Sequence, residues 1–208
     1  YVGSIVATIS LGVLFTTTAT GDLAHGAQSL GIFTPDATAN FNSPTFVLPI
    51  LVASIGIFAS IIGSFFVRTS EGASQGRLLW ALRFGVFGAS GLVLLGSGIA
   101  IAVMGLDINL FYVILVGLIA GQIIGTVTEG FTSTEGFNLG RFKYRPTVTL
   151  AEQSKAGTGP VIIGGMSLGM LSTAIPLITI VVAIVLTNEF AGLYGIALAA
   201  VGMLAPLG

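Results

Sequence analysis

Only a few residues of this sequence are of a type that does chemistry. There are eight acidic side chains, seven basic ones, one histidine and no cysteine in 208 residues. The acids are scattered one or two to a polar stretch, so the paired carboxylates that hold a hydrated divalent cation or a phosphate are missing. His25 lies beside Asp22 with no further histidine or carboxylate spaced to complete a metal site, and reads as a solvated loop residue. Asp36, Asp107 and Glu189 read as solvated loop residues as well. Glu152 and Lys155, in "AEQSKAG", precede an apolar run, where an acid suits the positive end of a helix dipole. No nucleophile-elbow, phosphate-loop or HExxH signature is present. No catalytic or metal-binding residue is assigned within the chain.

One carboxylate stands apart from this pattern. Glu129 falls in "TVTEGFTS", where a long apolar run gives way to "VTEGFTSTEGFNLGRFKYRPT", residues 127–147. Two readings are open for it. A carboxylate at that depth can pair with a base and hold a helix end, or it can simply mark the end of a membrane span. Glu129 is the candidate functional residue of the chain. Gln122, one of the few strongly polar groups at membrane depth, is expected to hydrogen-bond across a helix interface, since ionisable and amide groups are costly in hydrocarbon.

The elements that must position these residues follow from composition. Hydrophobic residues make up 54% of the chain, charged ones 7%, and mean hydropathy is +1.03. A soluble domain of this size would lack the polar groups to cover its surface, so the expected fold is all-α, a polytopic transmembrane helix bundle with the lipid bilayer as solvent. Net charge is −1 and no basic run occurs, which argues against nucleic acid as a partner. Stretches of about twenty apolar residues place spans at about 1–18, 44–67, 79–105, 109–128, 158–187 and 190–208. They are treated as one transmembrane segment over 1–208.

Charge sorts with these spans. Arg68, Arg77 and Arg83 flank the second connection, and Arg141, Lys143, Arg145 and Lys155 lie in or beside the fourth. The other three connections contain no Lys or Arg. The positive-inside rule then puts 68–83 and 129–157 in the cytoplasm of a multi-pass membrane protein. Within the spans, "GLIAGQIIG" sets Gly117, Gly121 and Gly125 on one helix face, "GASGLVLLGSG" makes the third span small-faced, and Gly165 and Gly169 repeat the device in the fifth. Such faces let neighbouring backbones approach closely. Pro49 and Pro176 are expected to make their helices irregular. The chain starts on "YVGSIVATIS" and stops in "AVGMLAPLG", so it is expected to be an internal piece of a longer protein.

Three runs carry a family resemblance: "GLIAGQIIGTVTEGFTST", "YRPTVTLAEQSKAGTGPVIIGGMSLGMLSTAIPLITIVVAI" and "FAGLYGIALAAVGML". In order and spacing they resemble the middle of the membrane-bound, ion-translocating pyrophosphatases. The shared features are a span ending in T-E-x-[FY]-T-S, a link with Tyr-Arg-Pro, a Thr-Gly before a Gly-rich span with an internal Ile-Pro, and a span beginning A-x-[LM]-Y-G-I-A.

The resemblance implies a subunit of roughly sixteen spans in a homodimer, of which this chain supplies about six. It implies magnesium as cofactor, potassium in some members, pyrophosphate as substrate, and a proton or sodium ion as cargo, with the catalytic residues on aspartate-rich stretches outside this chain. The fragment alone is expected to be inactive. Glu129 matches the glutamate of the T-E-x-[FY]-T-S motif, which raises the functional reading. Gly3 stands where plant-type proton pumps have a gate glutamate, so the ion stays open. "EGFNLGRFK", 135–143, is longer than the family's usual link. The alternatives are a segment of a secondary transporter or channel, for which an internal repeat is lacking, and a non-catalytic membrane subunit.

Overall fold

A computed structural model describes residues 2–18, 44–67, 75–134, 136–139 and 142–207. Five long helices dominate. They are α1 (Val2–Thr18), α2 (Pro44–Phe66), α3 (Gln75–Met104), α4 (Ile108–Thr132) and α6 (Thr158–Leu204), with the short α5 (Pro146–Gln153) preceding the last. Two three-residue strands, β1 (Phe137–Leu139) and β2 (Phe142–Tyr144), pair antiparallel with Phe137 opposite Tyr144. The two strands fall within the 135–143 link and its following tyrosine. The bundle is otherwise helical because an apolar chain must satisfy its backbone internally in hydrocarbon.

Among the described residues, four helical segments are long and apolar enough to cross a membrane: Val47–Phe65, Gly76–Met104, Ile108–Thr132 and Thr158–Leu204, with a shorter apolar stretch at Val2–Leu11. The protein is an integral, multi-pass membrane protein. At about 1.5 Å per residue, the 47 residues of α6 would extend about 70 Å if straight, more than twice a bilayer's hydrocarbon core. It is not continuous. Ala191 (φ −150°, ψ 23°) and Gly192 (φ 57°, ψ −150°) leave helical geometry. Beyond them the chain doubles back: Ile180, Ile184 and Thr187 share a cavity of about 190 Å³ with Ile196, Ala199 and Met203.

Other breaks also have local causes. α3 ends on Gly105 (φ 63°), with Leu106 N–H donating to the Ile101 carbonyl at 3.1 Å and Gly105 N–H to that of Ala102 at 3.4 Å. This is the paired bonding of a Schellman cap, and it turns the chain directly into α4. The far end of α4 is closed by Thr147, whose hydroxyl lies 3.1 Å from the Phe131 carbonyl and 3.2 Å from that of Ser133. Pro146 occupies the first position of α5, where its missing N–H costs nothing.

The core runs through Leu48 and Val52 of α2, Val93 of α3, Val113, Ile114 and Leu118 of α4, and Tyr194, Leu198 and Val201 of α6. Small residues set its closest approaches. A Cβ on Gly117 would run into the Ala199 carbonyl, one on Gly195 would lie 2.6 Å from the Thr187 carbonyl, and one on Gly63 would lie 2.9 Å from the Gly85 carbonyl. α1 is tied in by Thr8, fully buried, whose hydroxyl sits 2.7 Å from the Ser4 carbonyl and 3.0 Å from that of Ala197. Between 161 and 186, by contrast, α6 exposes most of its large apolar side chains.

Candidate functional site

Glu129 lies within the last turn of α4, which runs past 128 to Thr132. It is therefore held by helical backbone rather than carried on a loop. Across from it, on α3, is Arg83. The guanidinium Nε donates to Glu129 Oε2 at 3.0 Å, and the two side chains are 31% and 27% exposed. Partial exposure puts this ion pair between the weak surface class and the costly buried class.

A second polar contact crosses the same gap. Gln122 Nε2 donates to Ser90 Oγ at 2.6 Å, while Ser90 Oγ lies 2.8 Å from the Val86 carbonyl of its own helix. Arg83 and Ser90 are seven residues apart on α3, as are Gln122 and Glu129 on α4. Seven residues are two helical turns, so both members of each helix share one face, and the antiparallel run of the helices matches Arg83 to Glu129 and Ser90 to Gln122. The two contacts form rungs about 10 Å apart along the helix axes.

Beside the rungs is a cavity of about 300 Å³, lined by Leu79, Leu82 and Val86 of α3, Gly125 and Thr126 of α4, and Met203, together with the rung residues Arg83, Gln122 and Glu129. Its existence follows from a change along the glycine face of α4. Gly117 meets the Ala199 backbone, a Cβ on Gly121 would lie 2.9 Å from Met203 Cγ, and Gly125 has no heavy atom within 4 Å of where its Cβ would be. The expectation of close packing is met by the first two glycines and not by the third. The stripe opens toward the end that carries Glu129.

Among the described residues, the other candidates are not brought to this place. Asp107 and Glu189 are exposed, as are Glu152, Lys155 and Arg77. Arg145 precedes α5, and Lys143 stands in β2 opposite Asn138. Gly3 lies in α1 with open space around it. Asp22, His25, Asp36, Arg68 and Arg141 lie outside the described residues. Among the described residues there is no group of three or more His, Cys, Asp or Glu side chains able to hold a metal ion. With Glu129 engaged by Arg83 and the other described carboxylates standing singly, the donor set does not fit a magnesium site. Sequence reasoning placed Gln122 across a helix interface but counted Arg83 only as an orienting charge. The seven-residue spacing shared by 83/90 and 122/129 was the available signal.

The whole chain, residues 1–208, matches the model of the family described as inorganic H+ pyrophosphatase. A protein of Bacteroides thetaiotaomicron, assigned as a K(+)-stimulated pyrophosphate-energized sodium pump, is 39% identical over all of this chain and 27% of its own length. The K(+)-insensitive pyrophosphate-energized proton pump of Methanosarcina mazei is 33% identical over 77% of the chain and 23% of its own length. The K(+)-stimulated pyrophosphate-energized sodium pump of Thermotoga maritima is 43% identical over 43% of the chain. The chain thus spans about a quarter of the length of the first two of these relatives.

Proposed function

Because this chain belongs to the inorganic H+ pyrophosphatase family, we propose that it works within a membrane-bound pump that hydrolyses pyrophosphate and moves a cation, a proton or a sodium ion, across the bilayer. The observation that supports this reading is the family match over every residue of the chain, joined by relatives named as proton and as sodium pumps. The match favours the pump over a secondary transporter or a non-catalytic subunit. We propose six spans for this segment, the last two meeting at the Ala191–Gly192 break, with 68–83 and 129–157 on the cytoplasmic side. The proposed assembly is a homodimer.

The reaction cleaves a phosphoanhydride bond with water, and a bound magnesium ion supplies charge neutralisation at the phosphate oxygens in such chemistry. Potassium is a proposed activator, as the names of two relatives say of those proteins. The residues described here contribute a helical frame and, at its cytoplasmic end, Glu129. We assign Glu129 a role in coupling hydrolysis to transport, because it is a half-buried carboxylate on a helix end beside a cavity rather than a solvated charge.

The test is Glu129→Gln in the full-length protein in sealed vesicles, with phosphate release and ion uptake measured together. Ion uptake per pyrophosphate is expected to fall by about tenfold. Unchanged uptake and unchanged hydrolysis would return Glu129 to the role of a charge marking a helix end. The purified 208-residue chain alone is expected to release no phosphate from magnesium pyrophosphate, and measurable release overturns the assignment of catalysis to residues outside it.

A further inference from the structure

We propose that Arg83 is the positioning residue for Glu129, and that together with the Ser90–Gln122 contact it forms a polar ladder that sets the separation of α3 and α4 at their cytoplasmic end. This rests on the reading of Glu129 as a coupling residue given above. What it adds is a residue, a partner helix and a reason the carboxylate has a fixed place.

The argument begins with what apolar packing does between these two helices. Near the Gly105 turn they are in contact, where a Cβ on Gly98 would lie 3.2 Å from the Phe111 ring. Toward the other end that support disappears. Gly125 has open space around it, and the cavity of about 300 Å³ lies where side chains would otherwise interlock. Dispersion contacts fall off steeply with distance and cannot fix a gap they do not fill. The groups that do reach across are Gln122 to Ser90 at 2.6 Å and Arg83 to Glu129 at 3.0 Å. α3 is also packed closely on α2 through Gly63 and Gly85, and α4 on 193–204 through Gly117 and Gly121. The ladder joins two helix pairs, each tightly packed within itself, beside a second joint where a Cβ on Gly56 of α2 would lie 2.7 Å from the Ala205 carbonyl.

The strength of the rungs suits such a joint. The deeper rung is a neutral, partly buried hydrogen bond. The outer rung is an ion pair of which about a third is exposed on either side, so water reaches it and it is held less firmly than a fully buried pair. Ligand binding elsewhere in a protein can shift a contact of that kind. Arg83 thus holds the Glu129 carboxylate on the α3 side of the gap while the ladder is closed, and frees it when the helix pairs separate.

The experiment uses the full-length protein in sealed vesicles, with ions moved per pyrophosphate hydrolysed as the readout. Arg83→Glu and Glu129→Arg are compared with the double exchange Arg83→Glu/Glu129→Arg. Arg83→Glu is expected to lower that ratio about fivefold, and the double exchange to recover at least half of the loss. Where Arg83→Glu does not accumulate in the membrane, Arg83→Gln carries the same test with a smaller expected fall. A parallel decline of hydrolysis and transport at an unchanged ratio, or a double exchange no better than the worse single one, overturns the proposal. If Glu129→Gln is damaging while the Arg83 variants keep the wild-type ratio, this inference alone fails. If both positions are silent, the functional reading of Glu129 fails first.

Discussion

On the side of α4 that faces 193–204, backbone meets backbone: Gly117 lies against Ala199, Gly202 against Ile114, and Tyr194, Leu198 and Val201 are buried beside them. On the side that faces α3, the same helix is held by a hydrogen bond and an ion pair across a partly open cavity. One seam is made of small residues, whose fit depends on ångström-scale shape. The other is made of polar groups, two of them at the ends of long side chains, beside a cavity that is already open. The proposed pumping function calls for some interfaces that do not yield and some that do, and both kinds are cut into this one helix.

The sharpest way to break the comparison is Gly117→Leu, which forces a side chain into the Ala199 backbone. It is expected to cost about 3 kcal/mol, read as loss of folded protein after detergent extraction. Gly192→Ala comes next. At φ 57° and ψ −150° this residue sits in a region open essentially to glycine, and it turns the chain so that 193–204 can lie on α4. A loss of about 2 kcal/mol, measured as a lower unfolding temperature in detergent, is expected. On the polar seam, Gln122→Leu removes the inner rung and is expected to cost about 1 kcal/mol by the same measure. Gly125→Ala, two turns from Gly117 on the same face, should not destabilise and is expected to gain up to about 1 kcal/mol, since its new methyl group meets open space and alanine suits a helix better than glycine. If Gly125→Ala proved as damaging as Gly117→Leu, the contrast between the seams would collapse.

Much of the architecture was legible because the bilayer imposes it. A run of apolar residues in "FVLPILVASIGIFASIIGSFF" has no other way to satisfy its backbone than as a helix, and α2 covers it. Gln122 was readable as a cross-helix donor because an amide at that depth must find a partner. The "EGFNLGRFK" link was less legible. Its length stood out, but three-residue strands carry too little periodicity to be seen in sequence, and the hairpin emerges only in the fold. The three glycines of α4 show the same limit more finely, since identical residues at identical spacing end in two close approaches, to Ala199 and to Met203, and one open space.

By itself, then, the sequence determined that this is a helical membrane protein, where its charges gather, and which carboxylate stands apart from the solvated ones. These properties follow from local composition and from the cost of placing polar groups in hydrocarbon. Only the tertiary structure decided that Arg83 faces Glu129, that Ser90 and Gln122 form a second rung two turns away, and that the glycine stripe opens into a cavity. Those depend on how two helices are rotated and tilted against each other, which is set by contacts with third parties, α2 on one side and residues 193–204 on the other.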